Sequence, residues 1–177
     1  MFSLFLDETM TYSCAIFKDR VEEHHELLDI GCGWGSLATE AVKKTGCRYA
    51  GKTLAEEQFK LAQQRVKEAG LKVLETPFGS ISSFRSESAV ATPGMLEHVG
   101  DAYYEDFFRQ CESLLADNGV VVVQTISVPD ERFEECKRTP GFTKEYIFPG
   151  GCLPSLSRIT SAMATASRLW QVLPSLN

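Results

Sequence analysis

The segment Gly31-Cys32-Gly33-Trp34-Gly35 has the composition that points most directly to chemistry. It follows an apolar run that ends in Leu28-Asp29-Ile30, and it precedes a stretch from Ser36 with one apolar helical face. Glycines let the backbone approach a ligand closely and adopt positive φ, and a helix N-terminus offers N–H groups with a partial positive charge. A strand, a glycine loop and a helix in this order predict a nucleotide-type binding loop.

The spacing of these glycines favours one class of ligand. Dinucleotide-binding loops have the pattern G-x-G-x-x-G/A, with an acidic residue about twenty positions further on that binds the ribose. Here the third glycine comes one position early, Ser36 stands at the sixth position, and the next strand ends in Lys52-Thr53 without an acid. S-adenosylmethionine has no pyrophosphate and needs a tight loop beside its amino-acid end. The loop therefore favours S-adenosylmethionine, and NAD is the alternative.

Strands and helices alternate along the chain around this loop. Strands are predicted over 26–30, 48–53 and 120–126, and helices over 36–44, 53–70 and 102–116. Such alternation predicts a mostly parallel sheet with helices on both faces, so the fold class is α/β and Rossmann-like. Thr53 and Glu56 are predicted to form a capping box for the second helix, Leu54 to join its buried stripe, and Gly70 to end it.

The stretch from Thr76 to Gly94 is the exception to this alternation. Eleven of its nineteen residues are Ser, Thr, Pro or Gly. This composition is typical of a loop, although a doubly wound fold needs a central strand here. We therefore expect an irregular segment in the middle of the core.

Composition and charge exclude several classes of function. The 177 residues are 44% hydrophobic and 24% charged, as expected for one globular domain. A formal charge of −6 argues against a non-specific nucleic-acid binder, and no apolar run is long enough to predict a membrane span. Six widely spaced cysteines and an early Asp7-Glu8 pair without a basic stretch indicate a cytoplasmic protein.

Several further motifs follow one another in a distinctive order. LLDIGCGWGSLA precedes YAGKTLAEEQFKLAQQRVKEAGL, then GMLEHVG and finally KEYIFPGGCLPSLSRIT, with MTYSCAIFK near the start. In this order the motifs resemble the cyclopropane-fatty-acyl-phospholipid synthases, and especially the plant-type members, over about residues 5–70 and 95–165. The resemblance implies an S-adenosylmethionine-dependent methyltransferase that builds cyclopropane rings on unsaturated acyl chains of membrane phospholipids.

The resemblance also implies how the chain is organised. We expect one methyltransferase domain over 1–177, with a cofactor-covering segment over 1–25, a core over 26–128 and partial cover of the lipid site over 129–177. Its partner is a phospholipid acyl chain, so the protein would bind membrane surfaces peripherally. Because the family's chains continue beyond Asn177, we expect an incomplete fold and a weak or inactive synthase.

The residues that match the family's motifs form two sets. The resemblance places S-adenosylmethionine against ten residues: Tyr12, Ser13, Asp29, Gly31, Cys32, Gly33, Gly35, Thr53, Leu54 and Gln58. It places a bicarbonate ion, the base that removes a proton from the new methyl group, against Cys14, Glu97, Gln124 and Ile126. Gln124 stands where many bacterial members have histidine, and its amide can still donate one hydrogen bond and accept another.

Other interpretations of the same residues stay open. Glu97 taken alone would be a solvated acid at a helix end, and His98 beside it has no metal-ligand spacing with His24 or His25, so no metal is expected. The chain would also suit a methyltransferase for a small amine or acid. A non-catalytic remnant that keeps only the cofactor-binding half is the alternative from a different class.

Overall fold

The computed structural model describes residues 22–70, 74–75, 87–139, 141, 143–147 and 149–166. The strands are β1 (Glu26–Ile30), β2 (Arg48–Lys52), β3 (Leu74–Glu75), β4 (Glu87–Pro93) and β5 (Leu115–Gln124). The α-helices are α1 (Ser36–Thr45), α2 (Glu56–Glu68), α3 (Leu96–Val99), α4 (Tyr104–Leu114), α5 (Phe133–Arg138) and α6 (Leu156–Ala166). Short 3₁₀ helices over Asp101–Tyr103 and Asp130–Arg132 and a π-helical turn over Thr143–Ile147 complete the described elements.

These elements form two compact units. The first contains the described residues up to Met95 together with Leu114–Gln124, and the second contains Leu96–Ser113 and the described residues from Thr125 onward. The expected single domain over 1–177 stays a prediction.

The first unit contains a five-stranded sheet in the order β3-β2-β1-β4-β5. Every neighbouring pair of strands is parallel. The order 3-2-1-4-5 is part of the strand order of a Rossmann-like sheet, so the predicted α/β class is confirmed. The ligand edge of such a sheet is the carboxyl end of its strands, where the glycine loop follows β1.

Strand β4 lies inside the stretch that we expected to be irregular, so that prediction is wrong for Glu87–Pro93. Residues 76–86 lie outside the described residues. Ala89, Val90 and Ala91 pair with β1 on one side, and the same residues pair with β5 on the other. They are almost fully buried, and their small side chains suit the middle of a covered sheet. The content of Ser, Thr and Pro did not indicate a strand here. The segment forms one because it pairs with β1 and with β5.

Strand β5 differs from its prediction at both ends. It begins at Leu115 and ends at Gln124, so Thr125 and Ile126 follow the strand. Glu87 pairs with Leu115 but Ala89 pairs with Val120, so the pairing is irregular around Asp117-Asn118-Gly119. Asp117-Asn118-Gly119, a sequence typical of a turn, is therefore an interruption within the strand.

The helix α1 packs on the sheet as its apolar pattern predicts. Ala38 and Ala41 are buried in a cluster with Leu27, Tyr49 and Val66, and Leu37 and Val42 pack against that cluster. Val66 is the buried residue of α2, and Gly70 with φ of 68° follows its last turn as predicted.

None of the helices in the described part of the chain has the length and apolar character that crossing a bilayer requires.

Candidate functional site

The glycine loop lies at the carboxyl end of β1 and leads into α1. Gly31, Gly33 and Gly35 have φ of 90°, 54° and 79°, which explains why glycine occupies these positions. The N–H groups of Gly31 and Cys32 donate to the carbonyl oxygen of Lys52, at 2.8 and 3.0 Å. The end of β2 thus holds the start of the loop in place.

Gly33 and Gly35 differ in the space that a side chain at each position would meet. A Cβ on Gly33 would have the carbonyl oxygen of Gly31, at 4.0 Å, as its nearest neighbour, so the space beside Gly33 is open. A Cβ on Gly35 would lie 2.8 Å from the Cβ of Ala62 and 3.0 Å from its Cα. Gly35 therefore permits the close approach of α2, while Gly33 leaves room for a ligand.

Asp29 lies in β1 two residues before the loop, and its side chain is fully buried. One carboxylate oxygen, Oδ2, accepts a hydrogen bond of 2.6 Å from the hydroxyl of Tyr49, while Oδ1 has no partner among the described residues. Burial raises the pKa of Asp29 to about 7, although the hydrogen bond from Tyr49 lowers it. A buried carboxyl with one unpartnered oxygen is an acceptor available to a cationic or N–H-bearing ligand.

Tyr49 did not emerge from the sequence as a site residue. Its ring reaches Asp29 because Gly51, the residue opposite Asp29 in the β1–β2 register, has no side chain. A Cβ on Gly51 would lie 2.9 Å from Cε1 of Tyr49. The sequence signal that could have identified Tyr49 is a tyrosine two residues before a glycine in a buried strand.

Thr53 and Gln58 meet where β2 leads into α2. The Thr53 hydroxyl donates to Oε1 of Gln58 at 2.7 Å and accepts from the N–H of Ala55 at 3.2 Å. Helix α2 begins at Glu56 with Ala55 as its N-cap, so the predicted capping box is wrong. Leu54 is 81% exposed and is therefore not part of a buried stripe. The structure brings two of the predicted cofactor residues together and leaves the side chain of Leu54 exposed beside them.

Glu97 belongs to the second unit, where it lies in α3 and is only 4% exposed. Its Oε1 accepts a hydrogen bond of 2.6 Å from the N–H of Ile126, and its Oε2 has no partner among the described residues. The interpretation of Glu97 as a solvated acid is therefore wrong. Ile126 lies beyond β5 and is 64% exposed, so its position in a strand is also wrong. Its N–H binds the carboxylate of Glu97 in the described geometry.

A second interaction holds the backbone of Glu97. Its carbonyl oxygen accepts the N–H of Cys152 at 3.1 Å, and the carbonyl of Cys152 accepts the hydroxyl of Tyr104 at 2.8 Å. Tyr104 is completely buried in α4. The GGC segment of the motif at 144–160 therefore braces the helix that contains Glu97, a role that its sequence did not indicate.

Glu97 also lines a cavity of about 250 Å³ within the second unit. The other residues around it include Arg132, Glu135, Cys136, Lys144, Cys152 and Leu153. This volume lies just below the about 300–1,000 Å³ of small-molecule sites, so the cavity would accept part of a long ligand. A buried acid with an unpartnered oxygen at the wall of a cavity is a candidate catalytic group.

Gln124 ends β5 in the first unit. Its backbone carbonyl accepts the N–H of Gly94 at 2.8 Å, and its side-chain Oε1 is buried without a partner among the described residues. The predicted site residues Tyr12, Ser13 and Cys14 lie outside the described residues. Within the described part of the chain, no three His, Cys, Asp or Glu side chains are grouped to hold a metal ion, and the side chain of His98 is exposed.

Comparisons with known proteins agree on one family. A family model described as mycolic acid cyclopropane synthetase matches residues 18–173. Tuberculostearic acid methyltransferase UfaA1 of Mycobacterium tuberculosis is 32% identical over 90% of this chain, and cyclopropane-fatty-acyl-phospholipid synthase of Escherichia coli is 30% identical over 92%. The chain spans about half the length of these relatives, 44% and 46% respectively.

Solved structures give the same result. The mycolic acid cyclopropane synthase CmaA1, complexed with SAH and CTAB, superposes with a TM-score of 0.77 at 28% identity, covering 93% of this chain and 69% of that one. The cyclopropane synthase MmaA2 from Mycobacterium tuberculosis has a TM-score of 0.75 at 24% identity over the same shares. The glycine loop, the strand order and the family model together assign this chain to the mycolic acid cyclopropane synthetase family.

Proposed function

We propose that the protein transfers the methyl group of S-adenosylmethionine to the double bond of an unsaturated phospholipid acyl chain and forms a cyclopropane ring. The observation that supports this most strongly is Glu97, a buried carboxylate with one unpartnered oxygen at the wall of a cavity. Family membership supports methyl transfer to a lipid, and the name of the Escherichia coli relative, a cyclopropane-fatty-acyl-phospholipid synthase, favours the ring-forming reaction.

The chemistry sets the requirements for such a site. An alkene is a weak nucleophile, and bound S-adenosylmethionine supplies the strongly electrophilic methyl group that it can attack. The acyl chain then has a positive charge, and loss of a proton from the added methyl closes the ring. The protein must therefore hold the chain away from water and provide one proton acceptor.

The residues of the first unit fit the cofactor. The open space beside Gly33 admits a ligand against the loop, and the unpartnered Oδ1 of Asp29 suits the ammonium of its amino-acid end. Thr53 and Gln58 would hold the other side, since their mutual hydrogen bond fixes both side chains at the end of β2.

Glu97 would organise the proton acceptor. Its Oε1 is occupied by the N–H of Ile126, which fixes the carboxylate and leaves Oε2 to accept a hydrogen bond. Bicarbonate has one O–H group that such an oxygen can accept, and bicarbonate bound there would supply the base. Gln124, in the first unit, has a buried amide that can donate one hydrogen bond and accept another, and its part in binding bicarbonate stays a prediction.

The protein would bind its lipid substrate at a membrane surface. Large apolar side chains of the second unit are exposed, among them Tyr103 at 63%, Tyr146 at 65% and Leu156 at 65%. Such side chains can enter the interface of a bilayer without a membrane-spanning helix. We therefore propose a cytoplasmic enzyme that binds membranes peripherally.

The direct test incubates the purified chain with methyl-labelled S-adenosylmethionine and vesicles of unsaturated phospholipid. Vesicles of saturated phospholipid are the matched control. Label in the unsaturated lipid alone, with cyclopropane protons in its NMR spectrum, is the expected result. Label on a small amine or acid instead would favour the other methyltransferase class, and a methyl branch without a ring would change the product. No transfer despite bound cofactor would favour the remnant.

A further inference from the structure

The hydroxyl of Tyr49 and the carboxylate of Asp29 form a buried hydrogen bond of 2.6 Å. The two residues are 20 positions apart and meet because the register of β1 and β2 places Tyr49 opposite Leu27, one pleat from Asp29 on the same face. Both side chains are almost completely buried. A buried polar atom normally has at least one hydrogen-bond partner, yet here one oxygen of Asp29 is bound and the other has no partner among the described residues.

Among the described residues, few other polar groups surround this pair. Ala91 of β4 lies opposite Asp29 on the other side, and the helix residues in the same core cluster are Ala38 and Ala41 of α1 and Val66 of α2. The titratable groups that face Tyr49 besides Asp29 are the thiols of Cys32 and Cys47. Lys52 pairs with Ile30, so its side chain extends from the face of the sheet opposite to that of Asp29.

We infer that Tyr49 is a positioning residue for cofactor binding: its hydroxyl fixes one oxygen of Asp29 so that the other receives the ammonium group of the cofactor's amino-acid end. This inference rests on the proposed function, since it requires that the glycine loop binds S-adenosylmethionine or its demethylated product. Tyr49 would thus be a residue outside the glycine loop that sets both the orientation and the charge of Asp29.

A pairing of this kind has a measurable consequence for protons. Without ligand, the pKa of Asp29 is about 7, so the carboxyl is partly protonated at neutral pH. An ammonium group beside it favours the ionised form, and ligand binding near neutral pH should therefore release a proton. The Tyr49 hydrogen bond lowers the pKa of Asp29, so its loss should move this release to higher pH.

The test is calorimetric titration of the 177-residue chain with S-adenosylhomocysteine, from pH about 6 to about 9, in two buffers of different ionisation enthalpy. 5′-Methylthioadenosine is the control ligand because it keeps the nucleoside and lacks the amino-acid end. We expect wild-type affinity for S-adenosylhomocysteine to rise through pH about 7 with proton release, and no proton release with the control ligand. This comparison uses wild-type protein alone.

The variants then identify Tyr49 as the cause. Tyr49→Phe should move the midpoint to higher pH and weaken binding at neutral pH. Each upward shift of one pH unit from a midpoint near 7 would weaken binding at pH 7 by about fivefold, since the ionised fraction of Asp29 would fall from about one half to about one eleventh. Asp29→Asn should remove the pH dependence, and Glu40→Gln, which alters an exposed acid of α1 in the same unit, should match wild type.

Two results separate the ways in which the inference can fail. Binding of S-adenosylhomocysteine with the same pH profile in wild type and Tyr49→Phe would overturn the role of Tyr49 alone. Equal proton release with both ligands would overturn the contact between Asp29 and the ammonium. No binding of S-adenosylhomocysteine by wild type at any pH would overturn the proposed function itself.

Discussion

Arg158 holds Glu105 through two parallel hydrogen bonds, from Nη1 to Oε1 at 2.8 Å and from Nη2 to Oε2 at 3.1 Å. The same guanidinium donates to the carboxylate and to the backbone carbonyl of Asp101, and it lies 5.4 Å from the ring centre of Tyr104. Arg158 lies in the motif at 144–160. Its partner Glu105 lies in α4, and its partner Asp101 lies just before α4. The motif thus anchors the helix whose Tyr104 holds Cys152.

Arg158→Ala should lower the free energy of unfolding by about 2 kcal/mol, because it breaks a partly buried fork and leaves Glu105 without its cation, while Asp101 keeps its pairing with Lys137. Arg158→Lys should recover only part of the loss, since an ammonium cannot form the fork. Urea unfolding measures both. Arg138→Ala removes an exposed pair with Glu134 and should cost less than about 0.5 kcal/mol. Equal effects of the two alanine variants would contradict this account.

Glu97→Gln should lower turnover of methyl transfer to lipid by about a hundredfold or more, because the amide cannot organise the proton acceptor as a carboxylate does. Affinity for S-adenosylhomocysteine should stay nearly unchanged. Glu135→Gln alters another, exposed acid at the same cavity and serves as the control. An equal loss of turnover and cofactor affinity would indicate that Glu97 is structural.

Gly33→Val should abolish binding of S-adenosylhomocysteine, because its side chain would fill the open space beside the loop. Gly35→Ala should lower the melting temperature and weaken binding less, since its Cβ would meet Ala62 at 2.8 Å. Because φ at Gly33 is 54°, valine there should also lower the melting temperature, so calorimetric titration is done at a temperature at which thermal unfolding shows both variants to be folded. Retained affinity in Gly33→Val would show that the ligand lies elsewhere.

The buried Asp29 should make stability depend on pH. Its pKa is raised from 3.8 to about 7 in the folded chain, so between these values the unfolded chain is ionised while the folded one keeps its proton. The free energy of unfolding therefore falls as pH rises from about 4 to about 7, by about 3–5 kcal/mol, and this contribution is constant above that range. Other acids titrate in the same range, so the difference between wild type and Asp29→Asn measures the effect. A constant difference across that range would show that Asp29 is ionised throughout.

Local signals predicted part of the fold and of the site. The glycine loop, β1, β2 and α1 were predictable because turn residues and apolar periodicity lie within a few positions of each other. Strand β4 was not, since small residues become a buried strand only between β1 and β5. The capping box was wrong because α2 begins at Glu56, so Thr53 lies two residues before the N-cap Ala55.

The contacts that define the site were beyond local signals. Tyr49 reaches Asp29 across 20 positions, and Ile126 reaches Glu97 across 29. Both depend on where a strand ends and on its register with a neighbour. The sequence named Asp29, Glu97 and Ile126 through resemblance to a family, but it could not say which atoms meet.

Gly51 has a consequence for how relatives of this chain can diverge. Any side chain at position 51 would meet the ring of Tyr49 at 2.9 Å and Cys32 at 3.1 Å. A side chain at position 51 would therefore force Tyr49 and Cys32 to move, whereas Tyr49 can be lost while Gly51 stays. Relatives that keep the phenol–carboxyl pair should therefore also keep glycine at position 51.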